Sequence, residues 1–377
     1  MPNGSADGRN HLHLPEQLTP HKPQTPTIMR TTLTLLVLLL VAGLHAQVIT
    51  RLHNGSSTFY YAEQLHVVVA AAFDGDTIIL PGGPVATAGI NLNKTITFIG
   101  AGVLGSGTPV TGKTIIPYAF NMDIVIQQGS EGSSFHGVDF QRPVSFTGDV
   151  SNVGFTRCAF DQFPMAGFNM AAPSNVHIKH CIFREGITNG GNSAPQGLVI
   201  ENSILEGGLN FGLTHVATAV VTNCVILDMT TFNGYNQGVA FTNNIFTRVA
   251  ATFELNSASS YSCNLFCMTG GNALNWAGAT DLGNNLGWQI AGNNVFVNVP
   301  MTDDFNELYD YHLAVGSPGL LGTMPCVQGE AGIHGGSSPW KEGAIPFNPH
   351  WISLSPALGG TNGGAINVNL SGTAQQD

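Results

Sequence analysis

Few residues in this 377-residue chain are chemically reactive, and their spacing narrows the reactions open to them. Two stretches match nucleotide-binding patterns by letter: Gly100 to Gly105 fits G-x-G-x-x-G, and Gly107 to Thr114 fits G-x-x-x-x-G-K-T. Both need a helix opening at the glycines, so that backbone N–H groups point at phosphate. The next residues are Ile115-Ile116-Pro117-Tyr118, β-like and broken by proline. No nucleotide and no other cofactor is therefore expected. Six cysteines, at 158, 181, 224, 263, 267 and 326, lack C-x-x-C spacing, and no histidines stand at H-x-x-x-H, which argues against a metal site. Charged side chains are 9% of the chain, against about 25% in an ordinary soluble domain. Asp161, Arg184 and Glu206 recur at one repeat position, and Lys179 and Glu201 at another. Each set alternates in sign, the pattern of a solvent-facing ion ladder, where a pair contributes about 0–1 kcal/mol. No residue is assigned a catalytic role.

Those positions belong to a repeat. NVGFTRCAF (152–160), NVHIKHCIF (175–183), GLVIENSIL (197–205), AVVTNCVI (219–226) and GVAFTNNIF (238–246) align on a small residue near their end. The anchors are Val138, Cys158, Cys181, Ser203, Cys224, Asn244, Asn264 and Asn294, spaced 20, 23, 22, 21, 20, 20 and 30. Three residues earlier stand Phe135, Phe155, Ile178, Ile200, Val221, Phe241, Tyr261 and Ala291; two later stand Phe140, Phe160, Phe183, Leu205, Ile226, Phe246, Phe266 and Phe296. Such alternation is a strand with one face buried. Helical periodicity is absent. A period near 21 built of short strands and turns predicts an all-β parallel solenoid, each coil about 4.8 Å above the last. Small polar anchors then stack inside a turn. Stacking would bring Cys158 and Cys181 within disulfide reach, and a bond between Cys263 and Cys267 is equally open.

A second strand comes after the first in most repeats: VSF (144–146), FNM (168–170), LNF (209–211), FEL (253–255) and LNW (274–276). Its central residues, Asn169, Asn210, Glu254 and Asn275, point outward if their apolar neighbours point in. A row of amides can donate to and accept from sugar hydroxyls, and Trp276 could stack on a pyranose face. These five are the candidate glycan contacts. His136, His177, His180 and His215 read as scattered surface or turn residues.

Over residues 58–320 the chain resembles the right-handed parallel β-helix of the pectin-lyase-like superfamily, in its secreted bacterial branch. AEQLHVVVAAAFDGDTIILPGG (62–83) is similar to that family's opening, with a helix apolar at Leu65, Val68, Val69 and Ala72 covering the first coil. INLNKTITFIGAG (90–102) resembles the first full coils, YHLAVGSPG (311–319) the last, and GIHGGSSPWKEGAIPFNPHWISLSP (332–356) a β-rich C-terminal cap. The resemblance implies a sugar groove along the strand surface. Enzymes of the family use Lys or Arg beside calcium-binding acids, or an Asp cluster. Here Lys113, Lys179 and Lys341 lie far apart, and Glu254 has no acidic neighbour in its strand column. The expectation is a non-catalytic protein that contacts polysaccharide or acts as an adhesin-like structural element; the alternative is a polysaccharide lyase or glycoside hydrolase.

Residues 33–43, LTLLVLLLVAG, come after Met29-Arg30 and precede Ala46. A basic start, a short apolar stretch and a small residue predict a signal peptide over 29–46, cleaved after Ala46. The run is shorter than the roughly 20 residues of a membrane span, so no span is expected after cleavage, and the product is secreted or held at the cell surface. Residues 1–28 read as a disordered, over-extended start, 47–320 as the solenoid and 321–377 as the capping segment. Twelve basic against 23 acidic residues leave no cationic footprint for nucleic acid.

Overall fold

The recurring phrase folds as a corner between two sheets. In one coil, strand Gly154–Thr156 ends at Arg157, whose φ of 54° turns the chain. Cys158 then points inward, Ala159–Phe160 starts the next strand, and Phe163–Pro164 forms a third. The computed structural model describes residues 48–377 apart from 106–111, 120–121, 165–172, 189–193, 207–208, 211–215, 228–236, 250–254, 256–257, 272, 290–294, 301–303, 321–323, 325, 327–328, 342–349, 357–367 and 374–377. The expected leader and Asn294 lie outside the described residues. Successive coils pair in parallel into a twelve-stranded sheet 1, a ten-stranded sheet 2 and two three-stranded sheets. The all-β solenoid with coils of about 21 residues is thus what the chain forms.

Identical apolar positions stack from coil to coil. The rings of Phe98, Phe135 and Phe155 lie 4.8 and 4.9 Å apart, those of Phe140, Phe160 and Phe183 5.2 and 4.9 Å apart, and those of Phe246 and Phe266 4.7 Å apart. These separations match the spacing of hydrogen-bonded strands.

The anchor column has a chemical reason. At five corners a backbone N–H donates to the anchor side chain of the next coil. Cys181 N–H reaches Ser203 Oγ at 3.0 Å, Cys224 N–H reaches Asn244 Oδ1 at 2.8 Å, and Asn244 N–H reaches Asn264 Oδ1 at 3.0 Å. Asn264 N–H continues to Asn285 Oδ1 at 3.0 Å. The last anchor is therefore Asn285 and not Asn294: the 30-residue gap is an ordinary 21-residue coil followed by a departure from the repeat.

The first coil is preceded by a hairpin that the repeat did not foretell. Strands β1 (Val48–His53) and β2 (Ser56–Tyr61) pair antiparallel around Asn54-Gly55, both at positive φ (47° and 78°). Such a two-residue turn matches the twist of a hairpin. β1 also pairs with β3 (Asp76–Ile79), where buried Asp76 takes His53 Nδ1 at 2.5 Å and Phe73 N–H at 2.9 Å. The D-x-D spacing of Asp74 and Asp76 thus serves the turn into β3. Between them, helix α1 (Leu65–Ala71) buries Leu65, Val68 and Val69 in the main core.

Sheet 2 is buried on both faces. Its inner residues join the main core; its outer residues Ala159, Ile182, Ile204, Val225, Ile245 and Leu265 form a second apolar cluster with Val103, Leu104, Val295, Phe296, Tyr311, Leu313, Ile333 and Trp340. From there the chain runs back along the corner. Asn243 C=O accepts from Gly332 N–H at 3.0 Å, Asn202 Nδ2 donates to Ile333 and Gly335 C=O at 2.9 Å each, and His180 Nε2 contacts Ser338 C=O at 2.8 Å. This part of the expected cap is therefore a strap along several coils. Beyond it, His350–Pro356 and Val368–Thr373 pair antiparallel.

Candidate functional site

The charged residues are more tightly assembled than their sequence positions suggest. Asp139 occupies the outer column of sheet 2 that is apolar in the following coils, and it is buried. Arg184 reaches it with two hydrogen bonds, at 2.9 and 3.0 Å, and takes Asp161 at 2.6 Å. Burial works against the guanidinium's charge, but Asp139 and then Asp161 outweigh it, so Arg184 holds its proton more tightly than a free arginine. Close by, Glu307 accepts from Gly105 N–H at 3.1 Å and pairs with Lys113 at 3.0 Å. Glu206 accepts from Phe305 N–H at 3.3 Å, and burial raises its pKa. The expected solvent-facing ladder of Asp161, Arg184 and Glu206 is corrected in this respect. Arg184 anchors on a buried acid two coils away, and the chain's own segments lie against the group.

Could this cluster catalyse? Asp139 and Asp161 both bind Arg184 Nη1, which places them near the ~5 Å separation used by retaining glycosidases. Arg184, however, stands between them, where a glycosidic oxygen would have to sit. The arrangement is that of a bound ion triad on sheet 2, beside which Glu307 ties Gly105 and Lys113 to its own segment.

The cysteines are equally unsuited. Cys158, Cys181, Cys224 and Cys267 are free and buried, and neither expected bond, Cys158–Cys181 or Cys263–Cys267, is formed. Burial pushes the Cys224 thiol up to about 12 and raises Cys181 and Cys267 as well, so these three supply no thiolate near neutral pH. Cys263 instead bonds Cys326, joining a corner of the solenoid to the strap. Among the described residues no group of His, Cys, Asp or Glu could hold a metal ion, and no helix is long and apolar enough to cross a membrane. Strand Thr114–Ile116, not a helix, comes after the glycine patterns.

Of the five proposed contacts, the structure describes Asn210, Asn275 and Trp276. Asn169 and Glu254 lie outside the described residues. Asn210 is exposed, and the strand register beside it holds Thr188 and then Pro164, so Asn169 is not its partner in the column. Asn275 is exposed and caps Ala277 N–H at 3.3 Å. Trp276 packs edge-on to Tyr261, 6.0 Å between centroids, and is partly buried against the core. It is not a free stacking platform.

The open surface lies elsewhere, on the outer face of sheet 1. Two outward columns run across its parallel strands. One carries Thr77, Thr97, Ser134, Gly154, His177, Val199, Val220, Ala240, Ser260 and Thr280; the other includes His136, Thr156, Lys179, Glu201, Thr222, Thr242 and Ser262. Hydroxyls dominate and bond along the stack, Ser134 to Thr97 at 3.3 Å and Thr242 to Ser262 at 3.0 Å. At mid-length, Glu201 meets His177 at 3.1 Å and Lys179 at 3.8 Å. The His177 hydrogen bond, against burial and aided by Lys179, lowers the Glu201 pKa. Among the described residues, no apolar cluster like that over sheet 2 covers this face. Sequence reasoning picked out Lys179, Glu201, His136 and His177 of these columns but passed over the hydroxyls, because they lie between the apolar residues that carried the alignment.

Set against protein families, curated proteins and solved structures, the chain matches none of them.

Proposed function

We propose that this protein is an exported, non-catalytic β-helix of pectin-lyase-like type that contacts polysaccharide through the outer face of sheet 1. One observation carries the reading: among the described residues an apolar cluster of the chain itself covers sheet 2, whereas the outer face of sheet 1 has no such cover and carries stacked hydroxyls. Runs of hydroxyls about 4.8 Å apart, such as Thr222, Thr242 and Ser262, can exchange hydrogen bonds with successive sugars of a chain laid across the strands. A groove is not needed for that, and a weak, extended contact results. Export is supported by the apolar leader and by the Cys263–Cys326 bond, which belongs to an oxidising compartment. The non-catalytic part rests on the charges: Arg184, Lys113 and Lys179 are each engaged with carboxylates.

The test is electrophoresis of the purified protein through native gels containing acidic or neutral polysaccharides, with product assays on the same mixtures. Retardation without product is expected. Ultraviolet absorbance from unsaturated ends, or new reducing ends, would replace this reading with a lyase or hydrolase. Free migration through every glycan would leave a structural role.

A further inference from the structure

We propose that β2 is a self-association edge, through which two copies of this chain join end to end into one continuous sheet. Among the described residues β2 is the outermost strand of sheet 1, paired only with β1 on its inner side. An open strand edge offers unpaired backbone N–H and C=O groups to any other strand, and proteins blunt such edges with charge, proline or shortness. Two of the three other ends of the two long sheets obey that rule; the third, Leu286–Gln289 of sheet 2, is four residues long against the six of β2 and carries neither charge nor proline. Sheet 1 finishes at Thr280–Asp281, two residues long with an aspartate, and sheet 2 starts at Gly83–Pro84, two residues long with a proline. β2 has none of these guards. Its six residues, SSTFYY, carry neither charge nor proline, and Phe59 and Tyr61 are 56% and 67% exposed. Phe73, in the loop before β3, is also exposed at 57%.

The sequence of β2 selects a second copy as its occupant. Two antiparallel copies related by a twofold axis through Phe59 set Phe59 against itself, Tyr61 against Ser57 and Tyr60 against Thr58. Each remaining aromatic then faces a small hydroxyl residue, and aromatic cross-strand pairs of this kind are favourable. Pairing β2 with the far end of sheet 1 would place an aromatic strand against Asp281, so a closed pair is preferred to an open fibre. An edge of six residues makes a small interface, so the dimer depends on concentration.

The experiment uses the full chain. Sedimentation velocity over a concentration series should show a monomer–dimer equilibrium, and Phe59→Lys should weaken it at least tenfold. Phe59 is exposed, so an unchanged circular dichroism spectrum confirms that the variant folds. A photo-crosslinking residue at position 61 should join residues 56–61 of one copy to residues 56–61 of the other. A monomer at every concentration, a dimer untouched by Phe59→Lys, or crosslinks from position 61 into residues 1–46 of the same chain would each overturn the proposal.

Discussion

Arg184 is the residue on which most electrostatic order depends. Replacing it with Met leaves Asp139 buried without its cation, which costs about 3 kcal/mol, read as a lower midpoint in urea unfolding. Asp139→Leu added to Arg184→Met should recover at least half of the loss, since the following coils place Ala159 and Ile182 in that column. A single variant as stable as the parent would show that the triad is only a surface feature. His334 gives a pH-dependent counterpart. Its ring stacks on His312 at 3.6 Å, and burial, then the field of His312, pulls its pKa down to about 4. The unfolded chain binds that proton near pH 6.5 and the folded chain only near 4, so stability is full above about 6.5. It falls by on the order of 2 kcal/mol as pH drops to about 4. Urea midpoints measured between pH 7 and 4 should show this slope, and His334→Phe should flatten it. The anchors after Val138 were legible in sequence at this scale because a corner N–H finds its acceptor in the anchor of the next coil, which favours Cys, Ser or Asn there. Asp139 was not: its partner Arg184 lies 45 residues away, and only the coil register brings them together.

Elements divide in the same way. Strands with one apolar face announced themselves by alternation. The outer burial of sheet 2 was also written in the sequence, as CAF, CIF, SIL, CVI, NIF and NLF, where three consecutive positions are apolar or small and uncharged. Such a run signals cover on both faces, but the covering segment is rich in Gly and Pro and has no periodicity to place it. The Asn54-Gly55 hairpin was likewise readable from its turn residues, but it falls outside the repeat on which the strands were aligned. The strap depends on its bond to the corner. Cysteine at 263 occupies the same positive-φ turn position as Asn223 and Asn243, with φ of 61°, and joins Cys326 across 63 residues. Cys326→Ser should cost about 4 kcal/mol on the loop-entropy argument, and should raise amide hydrogen exchange in 329–341 before the coils themselves. Uniform exchange throughout the molecule would instead mean that strap and coils open as one unit.

For the whole molecule, low charge and high glycine result from its construction. A solenoid stacks like on like, and like charges stacked about 4.8 Å apart repel, so each outward column favours hydroxyls or alternates in sign. Glycine supplies positive-φ turns, as at Gly137 in the corner column. Among the described residues no apolar cluster covers the outer face of sheet 1, and contact between this face and polysaccharide is the proposal on which the function rests. Affinity electrophoresis decides it, with the polysaccharide that retards the parent protein most. It compares the triple variant Thr222→Ala, Thr242→Ala, Ser262→Ala with the pair Asn210→Ala, Asn275→Ala. At least tenfold weaker retardation is expected for the triple variant, and parental retardation for the pair. The reverse order, or equal retardation of all three proteins, would mean that the hydroxyl face of sheet 1 is not where polysaccharide binds.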